Sequence, residues 1–296
     1  MLAACGDGSE KSVEPPAKGR TAVIASADLA IGPERLTFVV LDDDVPVVDR
    51  PAYVRFFKDA DKPQPKLVGD GVIPWVALGA EEEKHDGAGH SETELTGIYY
   101  VNIDFDTPGT WGIGISIGEK LDQAGEIRLQ FVVKEKSTTL DVGERAVAAR
   151  NPTIRDRPLN QIHTGNDVDT AFHTLNIAEA ISSGKPSVIV FATPSFCRTR
   201  TCGPALQVAI KAADKFGGKA NFVHVEPYQL DADGNMTKDS QGNLFQVVES
   251  GEAWRLQTEP WVFVVDKSGT VVARFDGPYA LEELDHVLGQ LTAAGG

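Results

Sequence analysis

The sequence is poor in basic residues and in long apolar runs, and each scarcity narrows the classes of function open to it. Lysine and arginine number 28 against 43 aspartates and glutamates, which gives a net charge of -15. Such a surface repels phosphate backbones, so the sequence predicts no nucleic-acid binding. No run approaches the roughly 20 apolar residues that a membrane-spanning helix needs, which argues against a transmembrane protein.

Cysteine is also scarce, with only three in the chain. Cys5 stands alone near the start, whereas Cys197 and Cys202 lie five positions apart. The lone cysteine and the pair therefore need separate interpretations.

The length of 296 residues predicts two domains, since a domain usually takes roughly 100 to 200 residues. Shifts in composition and pattern divide the chain into a tether at 1–20, a β domain at 21–136, a connector at 137–164 and a second domain at 165–296. The connector holds scattered charges and two prolines, without a clear period of either helix or strand.

The first residues resemble a lipobox, the motif of bacterial lipoproteins that is cleaved and lipidated at its cysteine. Residues 2–5 read LAAC, and residues 6–20 (GDGSEKSVEPPAKGR) are polar with two adjacent prolines, as in a flexible tether. The resemblance implies lipidation of Cys5 and a membrane-anchored protein of the bacterial cell envelope, outside the cytoplasm, where disulfides persist. The alternative is a free cysteine in a disordered tail.

Short alternating runs between turn signals predict an all-β first domain. The candidate strands are 35–41, 52–58, 71–78, 98–105, 112–117 and 126–134. Residues 97–101 and 105–111 (FDTPGTW) resemble the closing hairpin of immunoglobulin-like extracytoplasmic modules, including the YtkA-like type. That resemblance implies an immunoglobulin-like β-sandwich.

In the second half, helical patterns alternate with strand patterns. A helical stretch near 170–183 is followed by a strand at 187–192, a helix at 203–216 and a strand at 220–225. Strands at 261–266 and 270–275 and a helix at 281–291 complete it. This order predicts an α/β domain with one parallel strand pair and one antiparallel hairpin.

The cysteine pair lies where the first strand of this half leads into a helix, within TPSFCRTRTCGP at 193–204. An aromatic residue before Cys197 and the Cys202-Gly203-Pro204 sequence resemble thioredoxin-like proteins of the TlpA and ResA type, although the spacing between the cysteines is wider. Residues 259–269 resemble the cis-proline strand and hairpin of that family. The resemblance implies a thioredoxin-like fold and thiol–disulfide exchange with partner protein thiols or disulfides, without a cofactor, through Cys197, Cys202 and Pro260.

Which sulfur attacks first is open at this point. The position after the aromatic residue favours Cys197, whereas proximity to the helix start favours a lower pKa for Cys202. Arg198 and Arg200 would favour a thiolate. Two departures from the family oppose fast exchange: Val190 stands near where thioredoxins carry a buried acid, and Glu259 places a carboxylate before the proline. A plain structural disulfide in a redox-inert interaction module is therefore an alternative.

A second resemblance is to Sco-type copper proteins, which bind copper through two thiolates and a distant histidine. At the place of that histidine this chain has LQTE at 256–259. The alternative Cu(I) site is therefore Cys197, Cys202 and His224, or the two thiolates alone, since thiolates suit soft Cu(I).

The remaining histidines give weaker signals. His85 and His90 lie in an acidic loop at 81–90 that could bind Zn(II) or Cu(II) loosely, although a solvated loop explains it equally. His163 and His173 have no evident cysteine or carboxylate partner in the sequence.

Overall fold

The fold is known from a computed structural model of the chain. The structure describes residues 19–79, 95–165, 169–197, 201–238, 240–242 and 253–293. Across these ranges, no helix combines the length and the apolar character needed to cross a membrane.

The N-terminal half consists of two antiparallel sheets. Their strands are β1 (Arg20–Ile24), β2 (Gly32–Asp42), β3 (Val45–Pro46), β4 (Ala52–Lys58), β5 (Lys66–Ile73), β6 (Val76–Ala77), β7 (Gly97–Phe105), β8 (Gly109–Ile117) and β9 (Ile127–Val133). One sheet has the order β1-β2-β7-β6 with β3 paired to β2, and the other has the order β5-β4-β8-β9.

One apolar core is shared by these two sheets. Phe38 of β2 stacks on Tyr99 of β7, and Trp111 of β8 meets Phe105 edge to face. Strand β4 alternates buried and half-buried residues along most of its length, as a strand with one face on a core must. This half is compatible with the immunoglobulin-like sandwich expected from the sequence.

The described residues of the C-terminal half form a four-stranded mixed sheet and three α-helices. The elements are α1 (Ile177–Ser182), β10 (Ser187–Phe191), α2 (Cys202–Phe216), β11 (Asn221–Val225), β12 (Trp261–Val265), β13 (Val271–Asp276) and α3 (Leu281–Ala293). The strand order is β11-β10-β12-β13; β10 and β11 are parallel, whereas the other two pairs are antiparallel. Two 3₁₀ turns, Leu159–Gln161 and Thr170–His173, precede the sheet.

Both faces of this sheet are covered, which explains why every residue of β10 and β12 is buried. Val188 and Val190 pack with α2 and α3 on one face. Ile189 and Phe191 pack on the other face with Trp254 and Ile177. Continuous apolar strands are what burial on two faces requires.

The predicted α/β thioredoxin-like fold class is wrong for this chain. The described part of the chain is mostly β-sheet, with 37% of its residues in strands and 17% in helices, and it contains several antiparallel sheets. The helix expected near 170–183 is a 3₁₀ turn followed by the six-residue α1. The predicted parallel pair, β10 with β11, and the predicted antiparallel hairpin, β12 with β13, are both present. These local patterns did not specify the antiparallel pairing of β10 with β12 that joins them.

Residues 137–164, predicted as a connector, pack against the C-terminal sheet. Leu140 and Ala149 are buried in the same cluster as Ile177, and the Ile177 amide donates to Asn151 Oδ1 at 2.8 Å. The N-terminal half also contacts the C-terminal half directly, because Leu78 and Ile98 are buried in the cluster that contains α2 and α3 residues.

Candidate functional site

Cys197 and Cys202 meet where β10 leads into α2. The Cys197 amide donates to the Thr193 carbonyl at 3.0 Å, and its thiol is half-buried. Cys202 is the first residue of α2 and is 0% exposed. Both cysteines are in the thiol form, without a disulfide, and they are hydrogen-bonded to each other. The structure therefore brings the predicted pair together with one accessible and one buried sulfur.

Burial raises the pKa of the Cys202 thiol far above its usual value, and the neighbouring Cys197 and Glu259 raise it further. The position of Cys202 at the start of a helix predicts a lowered pKa, so the raised pKa is the opposite of that prediction. Desolvation of a charged sulfur exceeds the stabilisation that a helix N-terminus provides. Cys202 is thus a neutral thiol near neutral pH.

Glu259 and Pro260 immediately precede β12 and are joined by a cis peptide bond. The Tyr228 hydroxyl donates to Glu259 Oε2 at 2.9 Å. Burial raises the pKa of Glu259, and the charge of Cys197 raises it further. The carboxyl that the sequence placed near the sulfurs therefore does interact with them, whereas the role of Pro260 in exchange stays a prediction.

A second carboxyl, Glu226, is buried just beyond the end of β11. The Thr164 hydroxyl donates to Glu226 Oε2 at 2.7 Å. Burial raises the pKa of Glu226 to about 7, although hydrogen bonds from Thr164 and Thr193 lower it. Together with Tyr228, this carboxyl lines a cavity of about 170 Å³ that also touches His224.

Three buried histidines, His163, His173 and His224, form one group of potential metal ligands. His163 Nδ1 lies 3.2 Å from His173 Nε2 and 3.2 Å from His224 Nδ1, and the latter two atoms are 3.4 Å apart. The ring centroids are 5.1 to 5.2 Å apart, farther than these nitrogens, so the three nitrogens face one another. The ring planes cross at 75° to 89°, so the rings do not stack.

Separate elements of the chain position these histidines. His224 is on β11, between the buried Val223 and Val225, and its Nε2 lies 2.8 Å from the Ala192 carbonyl at the end of β10. His173 is the last residue of the 3₁₀ turn Thr170–His173. Asp169 caps this turn, because its Oδ1 accepts a hydrogen bond from the Ala171 amide at 2.9 Å. Packing of Phe172 against Phe222 holds that turn on β11.

The buried environment keeps the imidazoles of His173 and His224 neutral. Burial lowers the pKa of His173 to about 4, with a smaller contribution from His163. Burial also lowers the pKa of His224 well below its usual value, and the two other histidines lower it further. Neutral imidazole is the form that donates a lone pair to a metal.

Several predicted features lie outside the described residues: Cys5, Arg198, Arg200 and the acidic loop 81–90. The group that contains His224 holds two other histidines and neither cysteine. Among the described residues, the structure therefore does not assemble His224 with Cys197 and Cys202 as the alternative copper site requires.

Sequence reasoning missed the histidine cluster because its members are 10 and 51 positions apart and lie on three separate segments of the chain. The usable signal was His224 itself. It is the one polar side chain between two apolar residues on a strand that is buried on both faces, and such a residue needs a buried partner.

Comparisons with protein-family models, with curated proteins and with solved structures find no match for this chain.

Proposed function

We propose that the chain performs thiol–disulfide exchange with partner proteins through Cys197 and Cys202. The observation that carries this proposal is the asymmetry of the pair. One sulfur is accessible to a partner, and the other is buried, neutral and hydrogen-bonded to the first. An exchange protein needs this division between an attacking and a resolving thiol.

The reaction proceeds in two displacements. The Cys197 thiolate attacks one sulfur of a partner disulfide, the partner S–S bond breaks, and one partner thiolate leaves. Cys202 then loses its proton and attacks Cys197 Sγ, which releases the second partner sulfur as a thiolate. The products are a Cys197–Cys202 disulfide and a partner dithiol, so two electrons pass to the partner.

Trapping tests the assignment of roles, and all variants carry Cys5→Ser so that only the pair is counted. With oxidised glutathione as the probe, Cys202→Ser should accumulate a stable mixed disulfide on Cys197, detected by mass spectrometry. Cys197→Ser should accumulate far less, because its remaining sulfur is buried. Equal amounts of mixed disulfide on both variants would contradict the proposed order of attack.

The reduction potential of the pair tests the function itself. Equilibration in glutathione buffers, followed by alkylation and mass spectrometry, should give a value in the catalytic range of roughly -120 to -270 mV. A value below about -300 mV would identify a structural disulfide and a redox-inert interaction module.

The copper-chaperone alternative depends on the same sulfurs. It predicts tight stoichiometric Cu(I) binding by the reduced chain that alkylation abolishes. The engagement of His224 with His163 and His173 argues against a Cys197, Cys202 and His224 site. Stoichiometric Cu(I) uptake together with a potential outside the catalytic range would favour the chaperone.

The proposed location is the bacterial cell envelope, with the chain anchored to a membrane by a lipid on Cys5. This proposal rests on LAAC at 2–5 and on the polar tether that follows. In a bacterial host that supplies a lipoprotein signal peptide, labelled fatty acid should appear in the chain and disappear from Cys5→Ser. Equal labelling of both forms would exclude Cys5 as the site.

A further inference from the structure

We propose that His163, His173 and His224 bind a divalent transition-metal ion such as Zn²⁺, with three protein ligands and an open fourth position. The site is independent of the proposed exchange reaction, and none of its ligands is a cysteine.

The spacing of the three nitrogens fits a tetrahedral metal. Zn–N bonds of 2.0–2.1 Å place neighbouring ligand nitrogens about 3.3–3.4 Å apart in a regular tetrahedron. The three nitrogens are 3.2, 3.2 and 3.4 Å apart. One triangular face of the tetrahedron is therefore already assembled within the protein.

Hydrogen bonding among the histidines cannot account for this triangle. Each ring nitrogen is either a donor or an acceptor, so among three mutually close nitrogens at least two have the same role. At least one of the three contacts is then repulsive. A cation accepts a lone pair from all three nitrogens at once, which removes the conflict.

The tautomer of His224 supports a ligand role. A carbonyl oxygen only accepts hydrogen bonds, so the 2.8 Å contact with Ala192 places the hydrogen of neutral His224 on Nε2. Its Nδ1, which is one corner of the triangle, then carries the lone pair of the ring. Metal-binding histidines are typically fixed in this way, with the other ring nitrogen donating to a backbone carbonyl or a carboxylate.

A cavity borders one of the proposed ligands, His224. The cavity of about 170 Å³ that touches His224 is also lined by Ile162, next to His163, and by Glu226. Among the described residues, the ligand group contains only the three histidines, which leaves the fourth position for water or an added ligand. Three protein ligands with one open position are typical of catalytic zinc sites, whereas structural sites are closed.

Metal titration of the full chain tests the proposal. The three cysteines are changed to serine to remove thiolate binding, and the protein is freed of metal with a chelator. We expect one equivalent of Zn²⁺ to bind. Co²⁺ should give the d–d absorption of a tetrahedral site, and X-ray absorption of the zinc form should show nitrogen and oxygen neighbours at 2.0–2.1 Å with imidazole scattering.

Matched histidine variants identify the ligands. His163→Gln, His173→Gln and His224→Gln should each weaken Zn²⁺ binding at least tenfold. His286→Gln, at an exposed histidine of α3, should leave binding unchanged. The double variant His85→Gln/His90→Gln should also leave it unchanged, which separates this site from the acidic loop.

Three outcomes would overturn the proposal: no binding of Zn²⁺ or Co²⁺ to the folded metal-free chain, binding that survives all three ligand variants, or binding lost only in the loop variant. If a ligand variant fails to fold, as circular dichroism would reveal, the X-ray absorption of the parent chain decides. A shell without imidazole nitrogens would then exclude the site.

Discussion

Arg35 of β2 makes a two-pronged ion pair with Glu283 of α3. Arg35 Nε lies 2.5 Å from Glu283 Oε1, and Arg35 Nη2 lies 2.8 Å from Oε2. The side chains are only 11% and 10% exposed. Because β2 belongs to the N-terminal half and α3 to the C-terminal half, this pair joins the two halves through nearly buried charges.

Removal of one partner should destabilise the fold strongly. Arg35→Leu leaves the Glu283 carboxylate buried without its guanidinium, and loss of one member of a buried pair costs about 3–5 kcal/mol in the free energy of unfolding. We expect a cost near the lower end, because the Ala280 amide still donates to Glu283. Urea denaturation measures it. Lys62→Gln, at an exposed pair with Asp59, is the control and should change little. Equal effects of the two substitutions would contradict the role of the Arg35 pair.

Asp28 should make the stability of the protein sensitive to acid. Burial raises its pKa, but hydrogen bonds from Lys134, Ser137, Thr139 and Thr138 outweigh this and hold the pKa well below the usual value. A folded-state pKa below the unfolded value of 3.8 contributes stability above that pH. This contribution is lost as the pH falls through the lowered pKa.

Denaturation at a series of pH values tests this expectation. From about pH 5 downward the free energy of unfolding should fall more steeply in the parent chain than in Asp28→Asn, which lacks the titrating group. Asp28→Asn should also be less stable at pH 7. The exposed Asp61→Asn is the control and should follow the parent chain. Parallel curves for the parent chain and Asp28→Asn would contradict the assigned role.

At the start of β7, Trp75 and Val76 lie so close to Gly97 that no side chain fits there. A Cβ at this position would lie 2.1 Å from the Trp75 ring and 2.6 Å from the Val76 carbonyl. Gly97→Ala should therefore cost about 1–3 kcal/mol of stability, as overpacking does. Gly69→Ala, at a strand glycine with open space around the added Cβ, should cost much less. Both are measured by chemical denaturation, and a cost at position 69 equal to that at 97 would refute the contact.

Local patterns in the sequence predicted much of the secondary structure. The apolar run 187–192 and the helical pattern 203–216 correspond to β10 and α2. Burial on two faces and amphipathic packing each produce a recognisable hydrophobic pattern within one segment. The antiparallel hairpin of β12 and β13 was also predicted, and the structure confirms it. The pairing of β10 with β12 produces no such local pattern and was not predicted. The α/β class is wrong because strands far outweigh helices among the described residues.

The candidate sites show the same contrast. Cys197 and Cys202 were found because they are close in sequence and lie at a strand–helix junction. The sequence identifies no partner for His163 and His173, since only tertiary packing brings them to His224. His173 reaches it through the packing of the 3₁₀ turn Thr170–His173 on β11. The sequence likewise did not predict the burial of Cys202, which raises the Cys202 pKa where a lowered pKa was expected.

The accessibility of the two sulfurs should appear directly in their alkylation rates. Cys197 is half-buried, whereas Cys202 is 0% exposed with a raised pKa, and only a thiolate reacts readily with iodoacetamide. In a Cys5→Ser chain at neutral pH, peptide mass spectrometry should show Cys197 modified at least tenfold faster than Cys202. In urea the two rates should converge, because unfolding gives both sulfurs similar surroundings. Equal rates in the folded chain would mean that α2 opens at its first turn faster than alkylation proceeds, and the division between an attacking and a resolving sulfur would then lose its structural basis.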